Sequence, residues 1–194
     1  MGDRGVRADA AGQAVSSHSH SVSDPLQELG ERFEQNLVIA ATPAAVLDCF
    51  FSAEALRAWW QAVRSVTTPV PFGVFAVEWA STPYRDDLLG PLGGVFHGTV
   101  IEFVPGDRFL VADAFWIPPE GAPLGPMALH VSVSAEGTGC KLHVRQDGYE
   151  ASPRWRRYYA VVSRGWQISL TALKRYAEAP PAAPKPQPKH TLGF

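Results

Sequence analysis

Sulfur is scarce in this chain. Its 194 residues include two cysteines, Cys49 and Cys140, and two methionines. The cysteines lie far apart, with no CxxC pair and no Cys/His cluster. Neither a disulfide framework nor a metal site is expected, and both thiols read as reduced and buried. Long apolar runs are missing too. Nothing approaches the roughly 18 residues that cross a bilayer. The N-terminus has no apolar core of a secretory signal, so a cytoplasmic protein without a membrane span is expected. Charge of one sign is also missing. Seventeen Lys and Arg against nineteen Asp and Glu leave a net charge of −2, which provides no field to attract nucleic acid. GxSxG, HExxH, P-loop and GxGxxG patterns are all absent, so no familiar catalytic or cofactor motif presents itself and no cofactor is expected.

Aromatic residues are plentiful, with six Trp and ten Phe. Composition is 46% hydrophobic and 19% charged, as in a soluble globular domain. Residues 1–24 are small, polar and without period, and read as a disordered leader. The His18-Ser19-His20 triplet within them is too flexible a setting for a metal site. Residues 180–194 contain five prolines and read as a disordered Pro-rich tail. The folded domain is expected over 25–179.

Within it, Phe33, Gln35, Leu37 and Ile39 alternate with polar neighbours, as in a half-buried strand. Thr42 and Pro43 then start a short helix, and a second, "AEALRAWW", ends at Trp59-Trp60. Strand patterns follow at 75–80, in a hairpin over 94–116 turning at Pro105-Gly106-Asp107, and in another over 127–149. Segments 81–94 and 117–126 read as mobile loops. Ser152 and Pro153 open a last helix in which Trp155, Tyr159, Val162, Trp166, Leu170 and Leu173 form one apolar stripe. At 1.5 Å per residue that helix runs roughly 37 Å. It carries Gly165, which costs about 1 kcal/mol against Ala in a helix interior. Two readings fit: a close backbone approach that turns Trp166 onto the sheet, or a surface glycine beside a core tryptophan.

Three stretches resemble a known family. "TPAAVLDCFFSAEALRAWW" is similar to the opening of START-like (SRPBCC) domains. "GTVIEFVPGDRFLV" and "DGY" followed by "GWQISLTALKRYAE" resemble the hairpin and closing helix of the branch named after the activator of the heat-shock protein 90 ATPase. The resemblance covers about residues 31–178. It implies an α+β helix-grip fold: a curved antiparallel β-sheet wrapped around a long C-terminal α-helix, with two short helices after strand 1. It also implies a cavity between sheet and helix. Members bind lipids, hormones or polyketides, catalyse cyclisation or aromatisation, or act on a chaperone. The family often has an aromatic about four residues after the hairpin Leu, where this chain has Asp113, with Trp116 later.

For the hairpin, a turn centred on Gly106-Asp107 pairs Glu102 with Val111 and Val100 with Asp113. If that face lines the cavity, Glu102 and Asp113 become buried acids suited to general acid or base work. If the other face does, His97 is the polar group inside. Trp79, Trp116, Trp155, Tyr159, Val162 and Trp166 are candidates to contact an apolar or planar ligand; plain core packing explains them equally. "RWRRYY" at 154–159 reads as a solvated helix start. The leading expectation is therefore a binding protein for a hydrophobic or aromatic small molecule. The alternatives are a cavity-based cyclase or hydratase using Glu102, Asp113 or His97, and a chaperone-ATPase effector working through its surface. An exposed sheet edge could pair two copies as a homodimer.

Overall fold

The computed structural model describes residues 32–180. The leader 1–24, its histidines and nearly all of the Pro-rich tail lie outside the described residues. The described residues begin with β1 (Phe33–Ile39) and two short helices, α1 (Pro43–Asp48) and α2 (Ala53–Trp59). The hydroxyls of Thr42 and Ser52 accept from the amides of Ala45 and Ala55, capping α1 and α2, and so satisfy N–H groups the helix itself leaves free. Next come β2 (Arg64–Thr67), β3 (Val74–Trp79), the two-residue strands β4 (Arg85–Asp86) and β5 (Gly90–Pro91), then the long strands β6 (Gly94–Val104), β7 (Arg108–Ile117), β8 (Leu124–Glu136) and β9 (Gly139–Asp147). The last described element is α3 (Pro153–Ala177), capped by Ser152.

Seven strands form one antiparallel sheet in the order β1-β9-β8-β7-β6-β3-β2. Its inner face packs on α3, whose Trp155, Tyr158, Trp166, Leu170 and Leu173 are buried. This is the α+β helix-grip arrangement. The buried tyrosine on α3 is Tyr158, three residues after Trp155, where the apolar stripe pointed to Tyr159; both spacings suit one helix face. Segment 81–94 contains the small β4–β5 ladder.

The β6–β7 register departs from a uniform hairpin. Next to the turn Glu102 faces Leu110; further along Val100 faces Val111 and Thr99 faces Ala112; beyond that His97 faces Phe115. The first shift places Ile101 as an extra residue on β6. The second sets Asp113 and Ala114 opposite the single Gly98. These are two β-bulges of opposite sense. Asp113 adopts φ 52°, a left-handed conformation uncommon outside glycine. Gly98 cannot carry a side chain, because a Cβ there would sit 2.6 Å from Val111 Cγ1. The inward row is consequently Phe96, Gly98, Val100, Val111, Ala114 and Trp116, all buried. Neither face expected from a uniform turn survives intact.

Candidate functional site

A cavity of about 580 Å³ opens between the sheet and α3, within the range typical of small-molecule sites. Trp59, Trp60 and Gln61 close it from the end of α2, and Trp79 from the end of β3. Phe96, Trp116 and Gln146 line it from the sheet, and Tyr158, Val162 and Trp166 from α3. Thr82, Pro83, Leu89 and Leu92 in the β3–β6 connection cover its side.

Its indoles are fixed by their N–H groups. Trp59 donates to Cys49 O at 3.0 Å, Trp79 to Trp60 O at 2.7 Å, and Trp116 to Gly93 O at 2.8 Å. Trp166 donates to Gln146 Oε1 at 2.7 Å. A buried indole N–H needs such an acceptor, and each bond holds its ring at a set angle. Trp60 links them: it stacks on Trp59 at 4.8 Å and 9°, meets Trp79 edge-on at 5.0 Å, and touches Trp166 at 4.8 Å. Phe33 stacks on the other side of Trp166 at 5.9 Å and 11°. Trp166 thus rests on Trp60, Phe33 and the Gln146 amide.

Gln146 is 2% exposed. An indole N–H can only donate, so the atom facing Trp166 is the amide oxygen. The amide nitrogen then donates to Met127 Sδ at 3.2 Å. Tyr158 stacks on Trp116 at 5.1 Å and 27°. Burial pushes its phenol pKa up, against a smaller opposing effect of the Gln146 amide, so the hydroxyl is a proton donor at neutral pH. Gly165 lines the cavity, and a Cβ there would meet nothing within 4 Å. Of the two readings, the close backbone approach is absent and the exposed glycine beside a buried tryptophan is found; the glycine leaves a notch in the helix wall.

Residues 40–178 match the protein family described as Activator of Hsp90 ATPase homolog 1-like protein. The chain belongs to this family. Solved structures share the family fold at low identity. Protein CV1439 from Chromobacterium violaceum is 22% identical, with TM-score 0.54 over 78% of this chain and 100% of its own. The solution structure of the Aha1 dimer from Colwellia psychrerythraea is 12% identical, with TM-score 0.56 over 77% and 97%. DynU16, a protein in the dynemicin biosynthetic locus, is 15% identical, with TM-score 0.57 over 77% of this chain and 48% of its own. No curated protein matches the chain.

Set against the residues expected from the sequence, this family member brings Trp79, Trp116, Val162 and Trp166 to the cavity. It does not bring Trp155 or Tyr159. Trp155 packs edge-on against Tyr149 and Tyr158, and the Tyr159 hydroxyl donates to Arg32 O at 3.2 Å. The three catalytic candidates also stand elsewhere. Glu102 points outward to Arg108 at 2.8 Å, and His97 and Asp113 are exposed. His97 faces out by simple alternation with the inward Phe96 and Gly98, and the two bulges displace the other two. One turns Glu102 out and Phe103 in; the other puts Ala114 in the inward position expected of Asp113. Trp59, Trp60, Phe96, Tyr158 and Gln146 were not singled out as site residues. Gln146 had a readable signal: it continues the inward alternation of Leu142 and Val144, and a polar residue at such a position needs a partner. Among the described residues no cluster of metal-ligating side chains occurs, and no helix is long and apolar enough to cross a membrane.

Proposed function

We propose that this family member binds a hydrophobic or aromatic small molecule in the cavity between the sheet and α3. One observation supports this above the rest. Tryptophans anchored by hydrogen bonds surround about 580 Å³ of space instead of collapsing into it. An apolar ligand would recover the dispersion contacts that those ring faces lack on the open side. The cyclase or hydratase reading has less support, since Glu102, Asp113 and His97 are not among the lining residues. The family description favours a second reading, a surface effector of a chaperone ATPase; retention of the chaperone in a pull-down would support it.

The test is native mass spectrometry of the purified protein before and after denaturing extraction, alongside tryptophan quenching by apolar and aromatic compounds. Expected is a co-purified small molecule, or saturable quenching, that disappears in Gly165→Leu while circular dichroism stays unchanged. A Leu at the notch would project into the void. Quenching that persists unaltered in Gly165→Leu, with no bound mass, would overturn the reading.

A further inference from the structure

Among the described residues that line the cavity there is no Asp, Glu, Lys, Arg or His. Two of the three arginines at the start of α3 are committed elsewhere: Arg157 Nε donates to Asp86 at 2.6 Å, and Arg154 donates to the Ala122 carbonyl. An unpaired carboxylate or ammonium brought into the site would lose its hydration with no countercharge in return, a large penalty. Trp59, Trp79, Trp116 and Trp166 spend their N–H groups inside the protein, so these indoles offer no hydrogen-bond donor to a ligand.

Two buried polar groups remain on the lining, and both offer protons. The Gln146 oxygen is taken by Trp166, which leaves its NH2 group, of which one proton is directed at the weak acceptor Met127 Sδ. The second donor is the hydroxyl of Tyr158, a cavity-lining residue 3% exposed whose ring stacks on Trp116. A ligand that meets these donors with an acceptor replaces the water it gives up; a pure hydrocarbon leaves them unpaired. The rings of Trp60, Trp79 and Trp116 that line the void and the side-chain-free notch at Gly165 suit a flat molecule.

We infer that the site selects flat, uncharged aromatic compounds bearing a carbonyl acceptor, which the Tyr158 hydroxyl reads, and rejects carboxylate-bearing amphiphiles. This rests on the cavity being a ligand site. The probes are 9-fluorenone, fluorene, which lacks the carbonyl, and 9-fluorenone-2-carboxylate, which adds a charge. Equilibrium dialysis should give fluorenone about 10-fold tighter binding than fluorene and about 100-fold or more over the carboxylate. In Tyr158→Phe the advantage over fluorene should fall to within about twofold, with fluorene itself unaffected. Gly165→Leu should weaken all three.

Equal binding of fluorene and fluorenone, or of the carboxylate and fluorenone, in the wild-type protein would overturn the selectivity and leave the ligand site standing. Binding of all three that is insensitive to Gly165→Leu, or binding of none, would overturn both. The wild-type comparison decides the matter even if Tyr158→Phe fails to fold.

Discussion

At the turn end of the β6–β7 hairpin, five phenylalanines fill space; at the other end, five tryptophans surround it. Phe109 is the hub of the first group, with ring centroids 5.4 Å from Phe50, 4.9 Å from Phe51 and 5.8 Å from Phe75. Phe103 joins through Phe51 at 5.1 Å. Phenylalanine has no polar atom, so nothing opposes its collapse into a dense cluster at native packing density. Tryptophan carries one N–H that must find an acceptor when buried. In this chain four of those acceptors sit on the periphery: the carbonyls of Cys49, Trp60 and Gly93, and the Gln146 side chain. The bonds pull the indoles toward the walls. The same sheet and helix therefore close over a solid core at one end and a void at the other.

Paired substitutions would break this comparison most sharply. Phe109 is 1% exposed and packed on every side, so Phe109→Ala should cost about 3–5 kcal/mol by denaturant unfolding. Trp60 is only half-buried and already faces the cavity on one side. Trp60→Ala should cost visibly less, while abolishing quenching by the aromatic probes. Equal losses from the two variants would mean that the tryptophan end is as tightly packed as the phenylalanine end.

The two ends also differed in how well the sequence announced them. The caps at Thr42 and Ser152, the glycine turns and the alternation in β8 and β9 are local signals, and the architecture they implied was found. The β6–β7 register was not legible. Its two bulges cancel, so both ends of the hairpin keep one pairing while the middle slips by a residue. That slip moved Glu102 and Asp113 off the expected cavity wall, while His97 faces out by alternation with Phe96. It depends on Gly98 fitting tightly against Val111 and Ala114, a contact between strands that no sequence window contains. Trp79, Trp116, Val162 and Trp166 could be chosen because alternation or helical spacing turned them inward. Trp59-Trp60 looked like the end of a helix, because adjacent residues on a helix point in different directions; here one ring stacks on the other and both reach the void. Strands β2, β4 and β5 are too short for their period to show.

A smaller effect, of opposite sign, would sharpen the contrast. Gly165 sits in the tryptophan end, in helical conformation, with free space where a Cβ would go. Gly165→Ala should raise stability by about 1 kcal/mol in thermal unfolding. The equivalent change at Gly98, in the packed part of the sheet, should destabilise instead. A loss at Gly165 would mean that the notch is not empty, and the void would then be smaller than described.

The smallest effect concerns what covers the void. Asp86, 3% exposed, ties the connection that carries Leu89 and Leu92 to α3. One carboxylate oxygen accepts from Leu88 N at 3.0 Å and Leu89 N at 3.1 Å; the other accepts from Arg157 Nε at 2.6 Å. Burial on its own raises the Asp86 pKa, but the two backbone amides and the Arg157 guanidinium outweigh it and hold the group below the ordinary carboxylate value. A carboxyl whose pKa is depressed by folding stabilises the native state above its unfolded pKa of about 4, and that stabilisation fades as pH falls through the folded value. Asp86→Asn keeps the side-chain oxygen for the amides and loses the charge. Its melting temperature should lie below that of the wild type at pH 7, with the gap closing as the pH drops below about 4. The gap should be modest and should narrow with salt, because Arg157 is 42% exposed and its charge is screened. Because Leu89 and Leu92 line the cavity, the variant should also release fluorenone faster. A gap that persists undiminished in acid would mean that Asp86 holds the cover by its shape and not by its charge.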